Sequence, residues 1–297
     1  DFLDDADEPF FLWIHYMDTH TPYVPAPRYI REVSDGFLGT HRMLHAHTRT
    51  GLGWEVDDRT LRELRTLYQA ATRQVDDSIG RVLDALAENG HDDETAVILA
   101  GDHGEEFQDH GHLAHYPKLY DELIQVPLIV DIPGVDGDRV DGQVGLDAIP
   151  PTVTALMGAD APDAWQGASL APVVVDGDAP VDEPVVSVAV RGEEVTTQPI
   201  PRSLDDGDLL VSVRDHDWTY IRNTETGRQE LYHRPTDPGQ TADRSVDPDE
   251  EAERVVERYR PVVDAHAELL QAGASAAEPS PEVDDDLGAR LEALGYR

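Results

Sequence analysis

The stretch Thr95–His115 reads TAVILAGDHGEEFQDHGHLAH. Its first six residues form an apolar run too short for an ordinary helix, which reads as a buried strand. The strand runs straight into Gly101-Asp102-His103-Gly104. A loop of that composition sets a carboxylate oxygen beside an imidazole nitrogen, and its flanking glycines permit unusual backbone angles. Two such neighbours can face one divalent ion; the alternative is a loop aspartate that caps backbone N–H groups. Open α/β sheets place their ligands at the C-terminal ends of strands, where these polar residues fall.

On the N-terminal side, Leu61, Leu64, Leu67, Tyr68, Ala71, Val75, Ile79, Val82 and Leu86 recur at spacings of three and four between Asp57 and Asn89-Gly90. This spacing predicts a long amphipathic helix with an acidic start and a glycine stop. Earlier still, Pro9–Tyr16 (PFFLWIHY) reads as another buried strand of a parallel sheet, ending in Met17-Asp18-Thr19-His20-Thr21-Pro22. On the C-terminal side, Val126–Ile132 (VPLIVDI) is a third strand. Strand, helix, strand order implies a βαβ crossover and an α/β sandwich. Asp147–Leu156 predicts a further helix, and the Ala, Pro, Gly and Asp of Gly158–Asp182 mark a soft boundary.

Beyond that boundary, 209–213, 218–222 and 229–232 predict a small antiparallel meander, and 248–273 an amphipathic helix. Residues 274–286 read as an acidic linker before a short helix at 287–294. The predicted organisation is an α/β core over 1–180, a small antiparallel-sheet plus helix subdomain over 181–273, and a linker with a terminal helix over 274–297.

The chain has 297 residues, 39% of them hydrophobic, enough for a sizeable core. Sixty-one acidic residues face 23 basic ones, a formal net charge of -38, and Lys118 is the only lysine. Charge on this scale resembles the solvated surface of a halophilic protein, and the absence of a basic stripe argues against a nucleic-acid partner. The sequence has no cysteine, so disulfides, thiolate metal sites and a cysteine nucleophile are excluded within these residues. No run approaches the ~20 apolar residues of a membrane span. The chain opens at Asp1 with neither a methionine nor a signal-peptide pattern, so the natural N-terminus is expected upstream.

Ten of the thirteen histidines precede residue 121, and six sit in two short segments, 15–20 and 103–115. His20, four residues past the aromatic run, could donate to a substrate oxygen or protonate a leaving alcohol, or could simply be satisfied within its turn. His110, His112, His115 and Lys118 form a dense group of donors and cations suited to a tetrahedral oxyanion.

Together these segments resemble the sulfatase family of the alkaline-phosphatase superfamily. PFFLWIHYMDTHTPYVPAPRY is similar to the family's strand and histidine-x-proline loop, and VILAGDHGEEFQDHGH to its metal loop. HYPKLYDELIQVPLIVDIPG resembles the segment that carries a substrate-contacting lysine or histidine. WTYIRNTETGRQELYHRPTDPGQTADR resembles the C-terminal meander, and LEALGYR a tail of bacterial-type members.

The resemblance implies an α/β/α sandwich, present in part, with a small C-terminal α+β subdomain. It implies Asp102 and His103 as ligands of a divalent metal, calcium with magnesium or manganese as alternatives. It further implies His20 as a contact to the sulfate or its ester oxygen, His115 as the substrate-contacting cation, and Lys118 as a displaced second candidate. The implied partner is a small-molecule or carbohydrate sulfate ester.

Neither the family's acidic pair on its first strand nor its cysteine-or-serine-x-proline-x-arginine motif, the formylglycine source, occurs in the sequence. The chain is therefore expected to be the C-terminal part of a longer enzyme and inactive alone. The alternatives are a phosphonate or phosphate ester hydrolase of the same superfamily and a non-catalytic binding domain that keeps the fold.

Overall fold

The computed structural model describes residues 2–3, 6, 9–34, 56–180, 183–190 and 209–276. After a short helix α1 (Pro27–Val33), the long predicted helix forms as α2 (Asp58–Glu88). Asp57 caps it, its side chain accepting from the Thr60 N–H at 2.9 Å. This satisfies one of the N–H groups that a helix start leaves unpaired. The chain leaves α2 through Gly90 at φ +75°, a left-handed angle that glycine adopts without strain. The apolar stripe of α2 lies on the first core cluster, where Leu64 and Leu67 pack with Tyr23 and Phe107. Tyr29 of α1 is tied to the same helix by its hydroxyl, which donates to Asp77 at 2.6 Å.

Two of the predicted core strands are present, β1 (Val97–Ala100) and β4 (Leu128–Asp131). They pair with each other antiparallel, Val97 opposite Asp131 and Ala100 opposite Leu128. The expected parallel βαβ pairing is thus not formed among the described residues. Residues 9–16 are corrected as well: they carry no ladder partner, and Phe11 and Trp13 are 67% and 79% exposed. An apolar run shows that a segment favours burial, but a strand exists only where a neighbour takes its N–H and C=O groups.

Between β1 and β4 lie a hairpin of β2 (Glu106–Phe107) and β3 (Leu113–Ala114) and one helical turn, α3 (Asp121–Ile124). The helix predicted at 147–156 appears as a 3-10 turn, Leu146–Ala148, running into α4 (Ile149–Leu156), and α5 (Ala171–Asp176) follows.

The C-terminal sheet is antiparallel in the order β5 (Val185–Val190), β6 (Leu209–Arg214), β7 (Trp218–Asn223), β8 (Gln229–His233). The last three strands are the predicted meander, while β5 was not anticipated. The predicted helix at 248–273 appears as α6 (Glu250–Ala276), and the expected terminal helix at 287–294 lies outside the described residues.

Alternation along the strands sends Val211, Val213, Trp218, Tyr220 and Leu231 against Val255, Val256, Tyr259 and Val263 of α6. The intervening Ile221 and Tyr232 pack with Leu119, so the sheet lies between α6 and the segment that follows the histidine cluster.

Candidate active site

The loop after β1 is seated by its glycines. The Gly101 N–H donates to the Pro127 carbonyl at 3.1 Å, and the Gly104 N–H to the Leu123 carbonyl at 2.8 Å. A Cβ at Gly104 would stand 2.0 Å from the Glu122 carbonyl oxygen. Neither glycine adopts a positive φ, so close approach to α3, and not an unusual backbone angle, is what Gly104 provides.

Asp102 does cap its own loop, Oδ1 accepting from the His103 N–H at 2.9 Å, yet Oδ2 is left over and lies 3.9 Å from His103 Nε2. His103 Nδ1 is 2.9 Å from the Gly104 carbonyl, an acceptor only, so Nδ1 holds the proton and Nε2 carries the lone pair. The two readings of the loop, cap and ligand, are therefore compatible.

The β2–β3 hairpin returns the chain to this loop and brings His115 against His103, the rings tilted at 35° with centroids 4.5 Å apart. The His20 ring lies 4.7 Å from that of His115. Residues 95 positions apart in sequence thus meet in one cluster beside an open depression lined by Met17, Thr19, His20, Tyr68, Asp102 and His103. His20 Nδ1 donates to the Thr21 carbonyl at 2.6 Å, which leaves Nε2 available. Burial, and then the neighbouring His115, hold the His20 imidazole below its ordinary value despite the opposing pull of the Thr21 carbonyl and Glu105.

Sequence reasoning missed Glu105. Its buried carboxylate takes the Tyr23 hydroxyl on Oε2 and lies 2.6 Å from His115 Nδ1 through Oε1. Ligand atoms of His103, Glu105 and His115 all lie within 4.8 Å of one another, a spacing that could hold a metal ion. The one signal in the sequence is position, directly after Asp-His-Gly, but its neighbour Glu106 shares that signal and serves elsewhere. Burial, and then Glu105, push the Tyr23 hydroxyl far up, so that it stays a donor.

Lys118 is placed in a second network. Its Nζ donates to the His110 carbonyl at 2.7 Å and to Glu106 Oε2 at 3.3 Å, and burial lowers its pKa against the pull of Glu106. Glu106 Oε1 also accepts the backbone N–H groups of His110 and His112, at 2.8 and 2.7 Å, closing the hairpin turn. His110 sits between Glu122 and the Gln240 carbonyl, the latter at 3.0 Å, and stacks on Tyr120. This network braces the hairpin against the C-terminal subdomain, while His20, Asp102, His103 and His115 share the cluster.

The architecture is alkaline-phosphatase-like, as two solved structures show. The chain covers 92% of itself on a phosphonate monoester hydrolase of Agrobacterium radiobacter, at TM-score 0.66 and 22% identity over 58% of that chain. It covers the same share of a putative sulfatase from Bacteroides thetaiotaomicron, at TM-score 0.64 and 21% identity over 56% of that chain.

Residues 1–159 match the Sulfatase family model, and the chain belongs to the sulfatase family. Among curated relatives it is 30% identical to the multifunctional alkaline phosphatase superfamily protein PehA of Trinickia caryophylli, over 57% of this chain and 38% of that protein. It is 26% identical to a Δ4,5-hexuronate-2-O-sulfatase of B. thetaiotaomicron, over 84% and 50%. The chain thus spans at most about half the length of these relatives.

Proposed function

We propose that the chain is the metal- and substrate-binding part of a sulfuric ester hydrolase acting on a sulfated small molecule or carbohydrate. Its nucleophile, a formylglycine, would be supplied from outside these residues. The observation that carries the reading is the meeting of the His20, His103 and His115 rings, from two distant segments, beside an open depression that His20, Asp102, His103 and Glu105 line. Support for a carbohydrate comes from two B. thetaiotaomicron relatives, named a Δ4,5-hexuronate-2-O-sulfatase and an endo-4-O-sulfatase.

The donor set fits a divalent ion, because a carboxylate oxygen, Asp102 Oδ2, lies 3.9 Å from an imidazole nitrogen, His103 Nε2. Calcium suits this hard carboxylate donor, with magnesium or manganese as alternatives. Bound there, the ion would neutralise charge on the oxygens of the ester group.

The chain's own side chains supply the remainder. His115, when it carries both protons, offers Nε2–H to an anionic oxygen, since Nδ1 is engaged with Glu105. His20 Nε2 faces the ester oxygen and, when protonated, gives that proton to the departing alcohol, leaving a neutral ring. Lys118 supports the site by fixing the hairpin that carries His115.

The likeness to a phosphonate monoester hydrolase favours a second reading, in which the same residues serve a phosphonate or phosphate ester. The two are separated by assaying paired aryl sulfate and phosphate esters on a protein that joins this chain to a formylglycine-bearing segment. Sulfate release, abolished by chelation and lowered ~10²–10⁴-fold by His20→Ala, is expected. Preference for phosphorus esters would select the second reading, and no turnover of either in a protein shown to carry formylglycine would overturn both.

A further inference from the structure

Around His115 the proposed roles leave one buried charge unexplained. The Glu105 side chain is only 4% exposed and lies among Tyr23, His103 and His115. A buried carboxylate is costly unless its oxygens are hydrogen-bonded, and here each oxygen has a partner. Tyr23, itself 2% exposed in the cluster that holds Leu64 and Leu67 of α2, donates to Oε2. This donor fixes the carboxylate against the long helix, so Oε1 is not free to rotate away. His115 Nδ1 then lies 2.6 Å from Oε1.

An ionised carboxylate can only accept, which decides the chemistry of the ring. Nδ1 must hold a proton, and in the neutral ring Nε2 must be bare. His115 directly follows the two-residue strand β3, and its ring also packs against His20 and His103.

We propose that Glu105 is a positioning residue for His115. Anchored by Tyr23, it locks the Nδ1–H tautomer and turns Nε2 to the side shared with His20 and His103. That this side faces a substrate rests on the ester-hydrolase reading, but the tautomer does not.

The test uses the full chain labelled with ¹⁵N-histidine and long-range ¹H–¹⁵N correlation at pH about 8.5, well above the ordinary histidine range. His115 is assigned through His115→Gln. The expected wild-type pattern is a protonated-type shift at Nδ1 and a bare-type shift at Nε2. In Glu105→Gln, whose amide can donate, the two types should exchange between the nitrogens. In Tyr23→Phe, the wild-type tautomer should persist with its Nδ1 shift displaced.

A wild-type His115 protonated at Nε2 would overturn the proposal without any variant, so failure of Glu105→Gln to fold leaves it falsifiable. An unchanged His115 pattern in a folded Glu105→Gln would also overturn it. A third adverse outcome is a coordination shift of His115 itself on addition of calcium, which would make that residue a ligand. None of these readouts requires ester hydrolysis, so they stand apart from the activity assay.

Discussion

At the scale of single residues, the site depends on close approach. Gly104 lets the loop after β1 lie against α3, with the Glu122 carbonyl where a Cβ would be. That carbonyl belongs to a helical turn whose Leu123 also accepts the Gly104 N–H, so it cannot yield without breaking a hydrogen bond. Gly104→Ala is expected to destabilise the chain by about 1–3 kcal/mol, the usual range for overpacking. The same variant should weaken calcium binding, because Asp102 and His103 move with the loop. Urea unfolding and calorimetric titration check the two effects, and a variant as stable as wild type with unchanged affinity would sink the argument.

Secondary elements decide a different set of properties. The C-terminal sheet and α6 are held by apolar packing on one face, in which Leu231 of β8 is fully buried. Leu231→Ala should cost about 2–5 kcal/mol, read from the urea midpoint of the wild type and the variant.

The same interface carries a titratable tie. Asp215, in the β6–β7 turn, accepts from Tyr259 and Arg258 of α6 and from the backbone N–H groups of Trp218 and Asp217, at 2.7 and 2.9 Å. Burial opposes the charge, but these donors win and hold the carboxyl below its ordinary 3.8. A depressed folded pKa stabilises above the unfolded value and is lost as pH falls through the folded one. Stability should therefore drop as pH is lowered below about 4, and Asp215→Asn should flatten that drop. Equal slopes in denaturant titrations of both proteins between pH 5 and 3 would contradict the tie.

For the whole molecule, the governing quantity is a formal charge of -38. Self-repulsion of that size opposes compaction and is screened as the Debye length falls from ~10 Å at 0.1 M salt to ~3 Å at 1 M. The melting temperature is expected to rise steadily with potassium chloride over that range. A flat response would contradict the argument from self-repulsion, since the 23 basic residues, some paired as Arg73 is with Glu32 and Asp76, cannot neutralise 61 acidic ones.

The sequence by itself determined what depends on local chemistry and on periodicity. Helix α2 was legible because its apolar spacing, its Asp57 cap and its Gly90 stop all agree, and β6–β8 because alternation and a turn at 223–227 agree. Asp102, His103, His20 and His115 were legible as chemistry-bearing types at a strand end and beside it. Only the tertiary structure decided which strands pair, because the apolar runs of 9–16 and 97–100 look alike while just one finds a partner among the described residues. It alone separated Glu105 from Glu106. Adjacent residues of a hairpin point to opposite sides, so one carboxylate meets the histidine cluster while the next closes the turn, a difference that composition and spacing do not record.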